Sequence, residues 1–209
     1  MRSVTRRLQN KDDETNAGAV EKLVEAFERL LSQGQSLTTI SVEKLAQEAG
    51  LARATFYLHF RNKGDLVNHL MKNVAQELRT AAIRSLRKTE NFGRTEFQTF
   101  MRDAVEIHFR HRLAIRAMVE ISSYDANVER SYRKFWQTQA ADTRLVLKRL
   151  DAAGQAHPDA VPEIADLVTW TAERGCSQML HDADSIERRE QFADMLTHVV
   201  WNAIARPGC

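Results

Sequence analysis

The stretch Ser41–Lys63, SVEKLAQEAGLARATFYLHFRNK, constrains the fold more than any other part of the chain. After Ser41, the apolar residues Val42, Leu45, Ala46 and Ala49 recur at the spacing of one helix face. The Ser41 hydroxyl suits the free N–H groups at that start, and Glu43 suits the positive end of the helix dipole. Gly50 supplies the left-handed backbone that a sharp turn needs, and Leu51 plugs the corner. A second short helix is expected from about Arg53 to about His59. Phe56 faces inward, Phe60 lies just beyond the end, and Arg53, Thr55, Tyr57 and Leu58 are outward or lateral. Asn62 then caps a third helix, with Asp65 close to a capping-box position. This is the pattern of a helix-turn-helix.

Such a corner can lay its second helix in the major groove of duplex DNA, with the first residues at the base edges. Arg53 can fork onto a guanine. Ala54 is small enough for close approach and can offer its methyl to a thymine. Thr55 and Tyr57 carry hydroxyls suited to phosphate oxygens. Lys63, just inside the next helix, brings an ammonium beside free N–H groups, a combination that favours phosphate. From Leu51 to Lys63 there are three cations and no acid.

The run G-L-A-R-A-T-F-Y-L-H-F-R-N-K-G-D-L resembles the signature of TetR-type transcriptional regulators. Gly50, Thr55, Phe56, Tyr57, His59, Phe60, Asn62, Lys63 and Leu66 match it. Two positions depart. Ala52 stands where Ser is usual, which weakens the cap of the recognition helix by about 1 kcal/mol. Arg61 stands where Pro is common and adds a cation. The resemblance covers roughly the first third of the chain. It implies an all-α, dimeric protein: a DNA-binding domain over residues 1–66 and a helical ligand-binding and dimerisation domain over 67–209, about nine helices in all. It also implies that Ser41, Arg53, Ala54, Thr55, Tyr57, His59 and Lys63 serve DNA binding.

Composition fits this reading. Few glycines (8) and prolines (3) in 209 residues favour long helices. A formal net charge of +2 is too small for a general nucleic-acid coat. The positive charge is local instead: Arg2, Arg6, Arg7 and Lys11 form a basic arm that can follow the DNA backbone. The first residues lack the apolar core of a signal peptide, and no run is long and apolar enough to span a membrane. Two cysteines, Cys176 and Cys209, make no disulfide framework. A cytoplasmic protein is the expectation.

The remaining chain reads as a helical bundle. Val20, Leu23, Val24, Phe27, Leu30 and Leu31 form a helical stripe that ends at Gly34. The helix after Asn62 is expected to run to about Lys88, with Asn91 and Gly93 closing it. Further helices are expected at about Arg94–Arg110, Arg112–Ile121, Ala126–Ala153, Ala160–His181 and Ser185–Ala205.

The second domain resembles the larger-ligand branch of the same family, the EthR-like repressors that control ethionamide sensitivity in mycobacteria. Helix lengths and order agree, as do short anchors at Arg116-Ala117, Glu173-Arg174 and Leu196/His198. The branch implies a deep, mostly apolar tunnel lined by Phe97, Met101, Tyr132, Trp136, Thr169 and Ala172. Thr169 and Ala172 replace asparagines, and Gln139 replaces a tryptophan, so the pocket should differ in shape and polarity. The residues themselves point the same way. Gln139 and Thr143 interrupt an apolar stripe, Thr169, Glu173 and Cys176 share one face, and His108 ends the apolar side of its helix. Inward polar groups need partners, which a ligand can supply.

Ile164, Leu167, Val168, Met179 and Leu180 with Phe192, Met195, Leu196, Val199, Val200 and Ile204 offer more apolar surface than one bundle face needs. A two-fold homodimer through the last two helices would cover it and set two recognition helices in successive grooves of a near-palindromic operator. His108 and His111 near Glu106 do not amount to a metal site, and no phosphate loop or catalytic motif occurs. No catalytic residue, metal or cofactor is expected, and the chain is not expected to be an enzyme. The expected function is a repressor released from its operator by a small, largely apolar or amphipathic ligand. The alternative is a small-molecule-binding or enzymatic helical protein that keeps the scaffold without specific DNA binding.

Overall fold

The computed structural model describes residues 18–87, 92–180 and 185–207. The basic arm, Lys88, Asn91, His181 and Cys209 lie outside the described residues. Among these residues there are nine α-helices and no strand beyond an isolated bridge between Ala156 and Ala205. They are α1 (18–32), α2 (Val42–Glu48), α3 (Arg53–His59), α4 (Lys63–Ala82), α5 (Arg94–Arg110), α6 (Arg112–Ser122), α7 (Ala126–Ala152), α8 (Ile164–Met179) and α9 (Ile186–Ile204).

Local chemistry sets most of these boundaries. Gly34 ends α1 with φ 81° and Gly50 turns the chain between α2 and α3 with φ 66°, both left-handed. The Ser41 hydroxyl accepts from the Lys44 N–H at 3.0 Å and the Asn62 side chain accepts from the Asp65 N–H at 2.9 Å. The Asp65 carboxylate reaches back to the Arg61 N–H at 3.2 Å. Ala52 occupies the cap of α3 with no side-chain bond, as the missing Ser implies.

Two boundaries differ from expectation. The α-helix of α4 stops at Ala82 and continues as a π-helical turn, Ile83–Arg87. Helix α8 starts at Ile164 rather than near Ala160. Pro162 has no N–H to give, and it biases Val161 towards extended backbone, so 157–163 form successive turns instead.

Two buried clusters carry the fold. The first joins α1, α2 and α3 through Leu23, Phe27, Leu30, Leu45 and Phe56 to α4, then reaches Met118 and Val128 in the bundle. The second lies among α5, α7, α8 and α9 around Phe97, Val146, Phe192 and Trp201. Helix α4 contributes to both clusters, mainly to the first and through Ala82 to the second. The closest approach is at Gly64, where an added Cβ would lie 2.8 Å from Cγ2 of Val128 and 3.0 Å from Oδ1 of Asn62. Val128 is buried and β-branched, so it cannot swing away. Gly64→Ala is therefore expected to destabilise the protein by about 1–3 kcal/mol despite alanine's better helix propensity. Thermal unfolding of the variant tests this, and an unchanged or raised Tm would contradict it.

Candidate DNA-reading face and ligand cavity

Helix α3 is held from behind and bare in front. Phe56 is fully buried, with its ring 5.4 Å from Tyr57 and 5.6 Å from Phe60. Arg53 and Ala54 are exposed, and Thr55 is half-buried. Tyr57 and Leu58 are 49% and 79% exposed. The Arg53 guanidinium lies over the Tyr57 ring at 5.6 Å and approaches its hydroxyl at 3.5 Å. The pair presents a fork and a hydroxyl side by side. Ser41 is exposed at the start of α2, its hydroxyl engaged in the cap. The ring of His59 is turned the other way: its Nε2 is buried with no hydrogen-bond partner.

The Lys63 ammonium is engaged within the fold. It donates to the carbonyls of Leu37 at 2.5 Å and Ile40 at 2.8 Å. These carbonyls belong to the connector between α1 and α2. Burial holds the ammonium below its ordinary pKa, and the nearby Glu120 pulls the other way. Glu120, on α6 of the bundle, accepts from the N–H groups of Leu37 at 3.2 Å and Thr38 at 3.0 Å. The connector is thus clamped from both sides, by a cation of the head and an acid of the bundle. The sequence gives no signal for this clamp, because its partners lie far apart along the chain.

Inside the bundle lie two apolar lobes of about 60 and 80 Å³. Leu78, Met101, Ala104, Trp136 and Ala172 wall both. Phe97, Gln139, Thr143 and Thr169 line the larger lobe, and His108 and Cys176 the smaller. Seven of the nine expected ligand residues therefore come together: Phe97, Met101, His108, Trp136, Gln139, Thr169 and Cys176. Tyr132 and Glu173 stand behind them. Tyr132 meets Trp136 and Trp170 edge-on, at 6.3 and 5.6 Å. Burial, and then the charge and hydrogen bond of Glu173, raise the Tyr132 phenol above its usual pKa. Buried Glu173 also accepts from the Ser177 hydroxyl at 2.8 Å. Leu78 from α4 and Leu196 and Val200 from α9 also line the lobes; the stripes of those helices read simply as core.

The lobes are not wholly apolar. The Trp136 indole N–H is buried without an acceptor in hydrogen-bonding geometry. Thr143 and Thr169 face each other at 3.4 Å. Burial drives His108 down to a pKa of about 4, so it is neutral at neutral pH. Burial, then the charge of Glu173, pushes the Cys176 thiol up to about 12, so it is no nucleophile. His111 turns away from His108 to pair with Glu77 at 2.7 Å.

The last two helices divide their apolar residues. Val168, Leu180, Phe192, Leu196, Val200 and Ile204 are buried in the bundle, while Leu167, Met179, Ile186, Met195 and Val199 are each more than half exposed. Among the described residues no helix is long and apolar enough to cross a membrane.

Residues 24–70 match the family model described as bacterial regulatory proteins, tetR family. No curated protein matches the chain in sequence. Solved structures align over nearly all of it. FadR of Bacillus subtilis, in complex with stearoyl-CoA, superposes with a TM-score of 0.72 at 14% identity, over 88% of this chain and 98% of its own. NalD of Pseudomonas aeruginosa, the secondary repressor of the MexAB-OprM multidrug efflux pump, gives 0.68 at 17% identity, over 90% and 98%. PfmR of Thermus thermophilus, a TetR family transcriptional regulator, gives 0.66 at 18%, over 89% and 96%. At these identities the structures share the fold.

Proposed function

We infer that this chain, which carries a tetR-family DNA-binding domain on the fold of TetR-type transcriptional regulators, is a ligand-responsive repressor acting as a two-fold dimer on a near-palindromic operator. The observation that carries the reading is the front of α3. Arg53, Ala54, Tyr57 and Leu58 stand bare to solvent on a helix sealed from behind by Phe56. Arg53 and Ala54 read bases, Thr55 and Tyr57 hold phosphate, and Ser41 and Lys63 flank them. His59 acts from within, fixing the end of α3. The boundary between the two domains falls at the start of α4, near residues 66 and 67.

The exposed apolar face of α8 and α9 is the dimer surface in this reading. The two-lobed cavity is the effector site, and a ligand there shifts α4 and with it the spacing of the two heads. Ligand and DNA then prefer different states, so each weakens the other. Phe97, Met101, Trp136, Gln139 and Thr169 would touch the ligand, with Tyr132 and Glu173 supporting Trp136 from behind. This is the larger-ligand, EthR-like arrangement with its polar groups redistributed, an amide gained at Gln139 and amides lost at Thr169 and Ala172.

Binding to the DNA upstream of its own coding sequence, against scrambled DNA across a salt series, tests the reading. Tyr57→Ala is expected to weaken specific binding roughly tenfold, because it removes a phosphate contact and releases Arg53. Fold and dimer should be unchanged. Equal affinity for operator, scrambled DNA and sequences selected from random pools would leave the scaffold as a small-molecule carrier instead.

A further inference from the structure

Resting on the ligand-responsive reading above, we propose that the effector is an amphiphile with an anionic head: its tail lies in the apolar lobes and its head lies in a cationic cleft at the seam between the DNA-binding head and the bundle. The cleft measures about 670 Å³ and is walled by α1, α6 and α8. Three arginines line it, Arg112, Arg116 and Arg174. Arg112 lies over the Phe109 ring at 4.2 Å and donates to the Phe109 carbonyl, which spends one N–H of its fork. Arg116 and Arg174 are exposed, and among the described residues neither meets a carboxylate within ion-pair distance. Among the described residues no acid lines the cleft, and Glu173, which Ser177 contacts, is buried behind it. Three guanidiniums in one concavity, two of them with no carboxylate partner among the described residues, suit a carboxylate or a phosphate.

The cleft and the smaller lobe share two wall residues, His108 and Cys176. Both are buried, and both are neutral at neutral pH, so they separate an apolar interior from a charged exterior without adding charge of their own. A ligand lying across them would be greasy on one side and anionic on the other. A cavity of about 150 Å³ holds a benzene-sized molecule, so the two lobes, about 60 and 80 Å³, suit about six carbons of a tail, with the carbons next to the head lying between them and the cleft.

The position of the cleft gives the head group a route to the DNA. Its far wall is the end of α1, at Leu31 and Gly34. Arg116 sits one helical turn before Glu120, whose carboxylate holds the connector between α1 and α2. An anion drawn onto Arg116 therefore acts on the same turn of α6 that holds the head in place.

Octanoate, octanoyl-CoA and 1-octanol distinguish the possibilities, with binding to the full-length dimer read by calorimetry and operator release in parallel. Arg116→Gln/Arg174→Gln is the variant, since both side chains are exposed and neither supports the core. Octanoate or octanoyl-CoA is expected to bind and to release operator, with affinity falling about tenfold in the double variant. Octanol should bind wild type and variant equally. The tighter of the two anions identifies a free acid or a CoA thioester as the source. If octanol releases operator as well as the anions do, and the variant changes nothing, the anionic site is overturned while the ligand-responsive reading stands. If no probe binds while operator binding is intact, both the site and the cavity assignment fall.

Discussion

Lys63→Met lowers the melting temperature by about 4–8 °C, an expected loss of about 2 kcal/mol for a chain of this size. The reason is the placement of its ammonium. Two of its three protons go to the Leu37 and Ile40 carbonyls, and those carbonyls belong to a connector with no helix of its own. Methionine keeps the stem but removes both donors, so two partly enclosed carbonyls lose a charged partner. The connector also carries Leu37 and Ile40, both fully buried in the first core cluster. Loosening it therefore reaches α1 and α2 as well.

DNA affinity should fall with stability, because the head that presents α3 is the part weakened. The control is Tyr57→Ala, which should lower affinity at constant Tm. Thermal unfolding of the two variants, with operator binding across a salt series, separates the roles. A Lys63→Met protein with wild-type Tm and a salt slope reduced by about one unit would make the lysine a phosphate contact and nothing more. The third proton of Lys63 leaves room for a phosphate contact alongside the clamp, but the clamp should dominate the measured effect.

The head was readable from sequence because its signals are local. Ser41, Gly50 and Asn62 each act within a few residues, and the structure shows the caps and the turn they imply. The start of α8 at Ile164, later than the expected Ala160, follows from the backbone cost of Pro162. The cavity was half legible. Gln139 and Thr143 announce themselves by interrupting an apolar stripe, and both line the larger lobe. Glu173 shares a helix face with Thr169 and Cys176 yet stands behind the wall, since periodicity gives a face and not a depth. What stayed hidden was anything made by three elements at once. Arg112, Arg116 and Arg174 look like ordinary surface charge along the chain, and only packing of α6 against α8 and the end of α1 gathers them. Glu120 was hidden for the same reason.

Acid should destabilise this protein through His108, beginning well above the range in which carboxylates protonate. The ring is 6% exposed and is held at a pKa of about 4 by burial, against 6.5 for the free side chain. The Ser177 hydroxyl lies 3.4 Å from its Nε2. Below pH 6.5 the unfolded chain takes up a proton that the folded chain refuses, so stability falls with pH until the folded ring also protonates near pH 4. The loss across that window is about 3 kcal/mol, or about 6–12 °C in Tm. Carboxylates elsewhere also contribute at the acid end, so the diagnostic quantity is the difference between wild type and His108→Gln. Glutamine is polar, can still meet Ser177 and does not titrate. The two stability curves should run parallel above pH 7 and then converge or cross as pH falls to 4.5, with the variant losing less. Curves that stay parallel throughout would show that the ring protonates in place, and that the wall between the apolar lobe and the cationic cleft is wetter than its burial implies.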